Sequence, residues 1–341
     1  MMTSRSAAPE RAYPRTTLVL TREMIVRTMK FADYVDAVED GFRRHAAAKV
    51  VVPEVVHIAE PGGGFHIKSA GFTEDPQYVA VKVNGNFPDN QKSNGLPTIQ
   101  GAITLCDGRN GFPLAILDSG EVTAQRTAAA TAVAAKFLAN PDSTVATIVG
   151  CGIQGRMQLL ALLHVLPLRR VFAFDTDNAA CRIFADEMSA STGVEVTPLE
   201  AFADGTRQSQ VIVTCTSSKG GYLQQRHVQP GTFIAAVGAD SDDKQELDSR
   251  LLRSSVVIVD ILEQCAHIGE LHHALIAGDM DVSQVFANLG EVAAGTKVHN
   301  CRSGDTIIFD STGSAIQDVA AAGMIYERAL EQGLGLQAQM S

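Results

Sequence analysis

Thr144-Val-Ala-Thr-Ile-Val-Gly150-Cys-Gly152-Ile-Gln-Gly155 is the stretch that decides the fold. An apolar, β-like run enters a G-x-G-x-x-G turn, and the apolar stretch 157–165 after it reads as a helix. The first glycine permits a tight turn, the second lets backbone approach a pyrophosphate, and the third lets helix and strand pack closely. Exposed N–H groups and the helix dipole then favour phosphate. About twenty residues beyond Gly155, Asp175 ends the apolar run Val171-Phe-Ala-Phe174. A carboxylate there accepts from the adenosine ribose hydroxyls and repels a 2′-phosphate, which predicts NAD, with NADP as the alternative.

Working outward, apolar runs at 145–149, 171–174, 194–196, 211–214, 233–237, 256–259 and 307–309 mostly alternate with helical stretches. That alternation predicts a parallel α/β sheet. Upstream lies an Ala-rich helix over 121–139, stopped at Asn140-Pro141. Before it, short apolar runs at 50–52, 55–58, 78–83, 99–105 and 114–117 alternate with turn clusters such as Pro61-Gly-Gly-Gly64 and Asp107-Gly-Arg-Asn-Gly111. These read as an antiparallel or mixed sheet. Helical spacing predicts one helix over 21–49 and a closing helix over 316–330. The fold class is therefore α/β: a Rossmann dinucleotide-binding domain plus a mixed-sheet α+β domain.

The chain has 341 residues, 28 Lys and Arg against 38 Asp and Glu, and a formal charge of −10, a length that suggests two domains and a balance that argues against nucleic acid as the main partner. Only 19% of residues are charged and 45% are hydrophobic, which excludes general disorder. No apolar run is long enough for a membrane span. The first 17 residues are polar, carry Arg5, Arg11 and Arg15, and have no apolar core of a secretory signal. Six scattered cysteines without a C-x-x-C pair read as reduced thiols. Together these predict a soluble cytoplasmic protein without a metal site.

Three cations stand in apolar or tightly packed settings: Lys68 in Phe65-His-Ile-Lys-Ser69, Lys82 in Val79-Ala-Val-Lys-Val-Asn84, and Arg126 in Thr123-Ala-Gln-Arg-Thr127. Buried cations need partners, and three facing one cleft would suit a carboxylate ligand. The alternative is that the lysines reach the surface and Arg126 pairs with Asp118 or Glu121. Asp240 follows the apolar run 233–237, where ligands of open α/β sheets bind, and is a candidate for proton transfer beside a nicotinamide; a helix cap or solvated acid is the alternative. His57 and His66 flank the turn Pro61-Gly-Gly-Gly64 as candidates to line the cleft. His45 reads as solvated. His272-His273 lacks a third ligand at fixed spacing and reads as a helix-face or interface pair.

Taken in order, Lys82-Val-Asn-Gly-Asn-Phe-Pro-Asp-Asn90, Gly95-Leu-Pro-Thr98, Thr123-Ala-Gln-Arg-Thr-Ala-Ala129, Gly150-Cys-Gly-Ile-Gln154, Val237-Gly-Ala-Asp-Ser-Asp-Asp-Lys-Gln-Glu-Leu247, Gly269-Glu-Leu271 and Phe309-Asp-Ser-Thr-Gly313 resemble the ornithine cyclodeaminase/mu-crystallin family. The alanine dehydrogenase and imino-acid reductase branches are the most similar. The resemblance implies a substrate-binding and dimerisation domain over 1–125, completed by 314–341, and a dinucleotide domain over 126–313. It implies a homodimer formed through the mixed sheet. Lys82 and Arg126 would hold a substrate carboxylate, with Lys68 at a basic position of the reductases, Thr312 beside the substrate, and Asp240 handling the proton. Thr98, Arg126, Ile153, Gln154, Asp175, Thr216, Val237, Lys244 and Ser311 fall where relatives contact dinucleotide, together with Gly150 and Gly152 of the turn.

Two departures from the family pattern matter. Pro53-Glu-Val-Val-His57 lacks the Arg or Lys that relatives carry there, leaving the carboxylate clamp incomplete or assisted by His57. Ile67-Lys-Ser69 lacks the cyclodeaminase glutamate. The resemblance thus implies an NAD(P)H-dependent reductase or dehydrogenase of a small 2-imino, 2-keto or amino acid, by hydride transfer to a C=N carbon. Pyruvate plus ammonia, cyclic imino acids and iminosuccinate are the candidate substrates. The alternatives are a cyclodeaminase-type lyase that uses NAD catalytically and a non-catalytic NAD(P)H-binding protein.

Overall fold

The computed structural model describes residues 16–299 and 304–340. Arg5, Arg11, Arg15 and Cys301 lie outside them. The first part of the chain runs β1 (Thr17–Leu20), α1 (Arg22–Thr28), α2 (Phe31–Ala46), β2 (Val50–Glu60), β3 (Gly63–Phe72), β4 (Tyr78–Asn86), α3 (Asn90–Asn94), β5 (Ile99–Asp107), β6 (Pro113–Asp118) and α4 (Ser119–Leu138). The second runs β7 (Val145–Val149), α5 (Ile153–Val165), β8 (Arg170–Phe174), α6 (Asn178–Thr192), β9 (Glu195–Pro198), α7 (Phe202–Thr206), β10 (Val211–Thr214), β11 (Lys219–Leu223), β12 (Phe233–Ala236), β13 (Gln245–Leu247), α8 (Ser249–Arg253), β14 (Val256–Val259), α9 (Leu262–Ile268), α10 (Glu270–Ile276), β15 (Ala287–Asn288), α11 (Leu289–Ala293) and β16 (Ile307–Asp310). The chain then returns through α12 (Ala315–Gln332) and β17 (Leu336–Ala338).

Among the described residues, one mixed sheet has the order β17-β1-β6-β5-β4-β3-β2. Only β1 and β6 pair in parallel there. The other large sheet, β15-β14-β16-β12-β10-β7-β8-β9, is parallel throughout. Beyond the closing helix, β17 adds to the mixed sheet by pairing antiparallel with β1.

Three local readings change. The helix expected over 21–49 is two, because Met29 is extended (φ −129°, ψ 144°) and the Asp33 carboxylate accepts from Lys30 N at 2.7 Å to start a new helix. The strands expected at 50–52 and 55–58 are one, with a register shift between Val51 and Glu54 that contains Pro53. Proline lacks the ladder N–H and is tolerated because β2 is an edge strand. Strand β3 has no clean alternation in the sequence, since its core-facing side carries His66 and Lys68 while Phe65 and Ile67 point the other way.

Two helices join the sheets. Helix α4 is lined by Ala128, Ala129, Ala130, Ala132 and Ala134, all at 0% exposure, and it touches β5 of one sheet and β12 and β16 of the other. Alanine lets backbones approach closely without losing helix propensity. The boundary expected after residue 125 falls within α4. Helix α12 lies across β3 and β4 and packs on α2 and α4. Their polar residues consequently meet between the two sheets.

Candidate active site

Strand register builds the basic floor. On β3 and β4, Lys68 and Lys82 are directly opposed, so both side chains leave the same face. Like charges in that arrangement repel. Helix α12 answers with Asp318, whose carboxylate lies 2.7 Å from Lys82 Nζ and accepts from Arg126 Nε at 2.9 Å. Arg126 Nη1 also donates to Gln317 Oε1 at 2.8 Å. The partners weighed from sequence are engaged elsewhere: Asp118 pairs with Arg22, and Glu121 accepts from Gln125. Neither lysine reaches the surface; Lys68 is 5% exposed and Lys82 2%.

The three cations are satisfied differently. Lys82 and Arg126 share Asp318. Among the described residues, Lys68 Nζ donates only to the Thr312 and Gly313 carbonyls, at 3.0 and 2.9 Å. An ammonium has three donors, so one N–H of Lys68 is left for a ligand. Gln317 Nε2 is likewise buried with no acceptor among the described residues. Burial, then Arg126, lowers the Lys68 ammonium below its ordinary value, and the same two causes bring Lys82 down to about 7. Burial pushes Asp318 up, but Arg126 and Lys82 outweigh it and hold it ionised.

Asp240 faces this floor from the loop after β12. It is neither a helix cap nor a free acid: Lys244 Nζ is 2.5 Å from its Oδ1, and 42% of its side chain is exposed. The surrounding protein pushes its carboxyl up, and Lys244, then Lys68 and His66, bring it below the usual carboxylate value. His57 and His66 are cross-strand partners on β2 and β3, with rings stacked at 4.6 Å between centroids. Burial lowers His66, against the pull of Asp240. Thr312 completes this side: its hydroxyl donates to Asp260 at 3.0 Å and accepts from Gln264 Nε2 at 2.8 Å.

The glycine turn takes the form its sequence requires. Gly150 has φ +108°, and a Cβ on Gly155 would sit 2.1 Å from Gly150 O. A Cβ on Gly152 would meet nothing within 4 Å, so this glycine borders open space at the N-terminus of α5. Ile153 is 71% exposed there, and Gln154 accepts from Gln158. Asp175 Oδ2 accepts from Cys151 N at 2.8 Å. Ser311 Oγ, at the end of β16, is buried without a partner among the described residues. Open space above Gly152, an orphaned hydroxyl and a carboxylate after β8 fit a dinucleotide laid across the C-terminal ends of the strands. Thr216 and Val237 lie at the ends of β10 and β12. Thr98 lies on the β4–β5 connection, where its carbonyl accepts from Phe87 N at 2.9 Å.

Sequence reasoning missed Asp318, Gln317 and Arg156. An adjacent Gln-Asp pair inside the apolar run that begins α12 was the available signal for the first two. Arg156 Nη1 donates to Cys151 O and Gly152 O, tying a cation to the glycine turn. His45 is not solvated: it is half-buried, its Nδ1 lacks a partner among the described residues, and burial lowers its pKa. His272 and His273 are spent on the Ala266 and Lys244 carbonyls. Among the described residues no group of side chains could hold a metal, and no helix is long and apolar enough to cross a membrane. The five described cysteines are free thiols.

A sequence model of the ornithine cyclodeaminase/mu-crystallin family matches residues 15–333. The alanine dehydrogenase of Archaeoglobus fulgidus is 36% identical over 322 residues, covering 94% of this chain and 97% of that one. Among solved structures, an archaeal alanine dehydrogenase dimer with bound NAD superposes with a TM-score of 0.90 at 36% identity, over 96% of this chain and all of that one. The Thermococcus litoralis Δ1-pyrroline-2-carboxylate reductase, in complex with NADH and L-proline, gives 0.89 at 30% identity, over 94% and 100%.

Proposed function

Because the chain belongs to the ornithine cyclodeaminase/mu-crystallin family, we propose that it is an NAD(H)-dependent oxidoreductase that interconverts a small 2-imino acid and its 2-amino acid. The observation that carries this reading is Lys68, a buried ammonium with a spare donor and, among the described residues, no carboxylate partner, beside Lys82, Arg126 and Asp240. Such a cation is costly in the free protein and is answered by a ligand carboxylate.

Bound NADH would supply a hydride to the C=N carbon. Lys68 holds the substrate carboxylate, with Arg126 and Lys82 supporting its charge and Asp318 fixing both of them. Asp240, kept as a carboxylate, stabilises the protonated imine, the form that accepts hydride to give the neutral amine, and in the reverse direction takes a proton from the substrate ammonium before hydride leaves. Lys82, near neutrality, is suited to exchange a proton within the site. Gly150, Gly152, Ile153 and the α5 N-terminus would hold the pyrophosphate, Asp175 the adenosine ribose, and Thr216, Val237, Lys244 and Ser311 the other half. Asp175 favours NAD over NADP. The absence of the cyclodeaminase glutamate from Ile67-Lys-Ser69 favours the reductase over the lyase.

We also assign residues 1–125 with 314–341 to substrate binding and dimerisation, and 126–313 to the dinucleotide. Val56, Ile58, Phe65, Val81 and Val83 are exposed on the sheet face opposite Lys68 and Lys82. A contiguous apolar face of that kind supports a homodimer. The deciding experiment follows NADH absorbance with pyruvate plus ammonia, methylamine adducts of keto acids, cyclic imino acids and iminosuccinate, repeated with NADPH. Net oxidation with one of them supports the proposal. Ammonia release from ornithine without net NADH change would replace it with the lyase, and binding without turnover of any would replace it with a binding protein.

A further inference from the structure

We propose that Glu246 is a positioning residue that locks together the two loops carrying Thr216 and Asp240, and so sets the spacing between the dinucleotide and the proton-handling carboxylate. This inference rests on the dinucleotide site proposed above.

Glu246 is fully buried in β13, on a side connection outside both large sheets. Its Oε1 accepts from Thr216 N and from Thr216 Oγ1, both at 2.6 Å. Its Oε2 accepts from Gly238 N at 2.9 Å. One carboxylate therefore clamps the loop after β10 to the loop after β12, and Gly238 stands two residues before Asp240. Space is as tight as the bonding: a Cβ on Gly238 would sit 2.4 Å from Thr216 O and 2.5 Å from Glu246 Cδ.

The strand order says what these loops face. Asp175, at the end of β8, lies on one side of the glycine turn after β7; β10 and β12 end on the other side. With the adenosine at Asp175, the nicotinamide half must extend over the loops Glu246 joins. Glu246 is itself held from behind, since Glu270 accepts from Glu246 N at 2.8 Å and Leu247 N at 3.0 Å. The clamp has a rigid base and no direct contact with Asp240, so it acts on the reaction only through the loops.

An amide at this position tests the clamp. In Glu246→Gln one oxygen becomes an N–H donor and faces either Gly238 N–H or Thr216, leaving a donor opposed to a donor. We expect NADH binding, read by its fluorescence, to weaken about tenfold, and turnover with the best imino acid to fall about 10- to 100-fold. Because both residues act through one geometry, Asp240→Asn should cost at least several-fold less in the Glu246→Gln background than alone. Glu246→Asp, which keeps the buried charge but is too short to span both loops, covers the case in which the amide does not fold. Wild-type NADH affinity in either folded variant, or costs of Glu246→Gln and Asp240→Asn that simply multiply, overturns the inference. Should the wild type reduce no imino acid, the proposed function falls while the NADH arm still decides the role of Glu246.

Discussion

Replacing Asp318 by Asn leaves the shape of the site and removes the negative charge between its cations. At an effective dielectric constant of 20, unit charges at 2.7 and 2.9 Å attract by about 6 kcal/mol each, before desolvation is subtracted. Breaking a buried pair by removing one partner typically costs about 3–5 kcal/mol, because the other charge stays buried. Here Arg126 is left charged while Lys82, already lowered to about 7, can give up its proton, so the lower part of that range is the secure expectation. For a chain of this size that predicts a fall in Tm of at least about 5 °C in a buffer without small carboxylates. The loss should be partly recovered by an added carboxylate: a ligand at 100 times its Kd stabilises by about 2.7 kcal/mol, and an anion should bind the variant, with its unbalanced cations, at least as well as the wild type. The assay is thermal unfolding of both proteins in HEPES alone and with increasing pyruvate. Unchanged stability of Asp318→Asn in plain buffer, or a pyruvate shift smaller than that of the wild type, would refute the charge accounting for this site.

Four other outcomes follow from the same geometry. Lys68→Met should raise the KM of the imino acid about 10- to 100-fold with a smaller change in kcat, as loss of a charge-assisted carboxylate bond requires, in steady-state NADH oxidation. Asp175→Asn keeps an acceptor for Cys151 N but removes the charge that repels a 2′-phosphate, so the preference for NADH over NADPH should shrink about tenfold; an unchanged ratio places the ribose elsewhere. Lys82, lowered to about 7 by burial and then by Arg126, gives two pH effects of opposite sign. Carboxylate binding should weaken as pH rises past 7, whereas between about 7 and 10.4 the unfolded chain binds the extra proton, so the stability contribution of this group rises with pH; titration of pyruvate affinity and of Tm over that window checks both, against Lys82→Met. Val83→Glu on the apolar face should convert a dimer to monomers in size-exclusion chromatography.

What the sequence revealed follows the range of the interactions involved. The glycine turn, the parallel strands and the Ala-rich helix were legible because each is specified locally: Gly150 by its positive φ, Gly155 by its closeness to Gly150 O, α4 by its alanines. Lys68, Lys82 and Arg126 were legible as charged residues in apolar settings. Asp318 was not, since its bond to Arg126 spans 192 positions and nothing in α12 marks where the helix will land. Strand β3 was obscured by the functional side chains themselves, because His66 and Lys68 occupy the alternating positions that a purely structural strand fills with apolar residues.

That conflict between pattern and burial locates the site more sharply than the motifs do. Two lysines opposed across an antiparallel pair, both nearly inaccessible, break the ordinary rules of strand pairing and of charge burial at once. A single aspartate repairs only part of the imbalance. With Lys68, Lys82 and Arg126 charged against Asp318, the inner cluster keeps an excess of positive charge, and the pairing of Asp240 with Lys244 does not reduce it. The free protein carries that excess as lost stability, consistent with a Lys82 that titrates near 7. A ligand with one carboxylate brings the sum closer to neutral and offsets the Arg126 repulsion that helps to lower Lys82, so substrate binding and proton uptake should be linked. Calorimetric titration of pyruvate at pH 8 in two buffers of different ionisation enthalpy measures this directly: the observed heats should differ in proportion to a fractional proton taken up on binding, and equal heats would mean that binding leaves the protonation of the lysine unchanged.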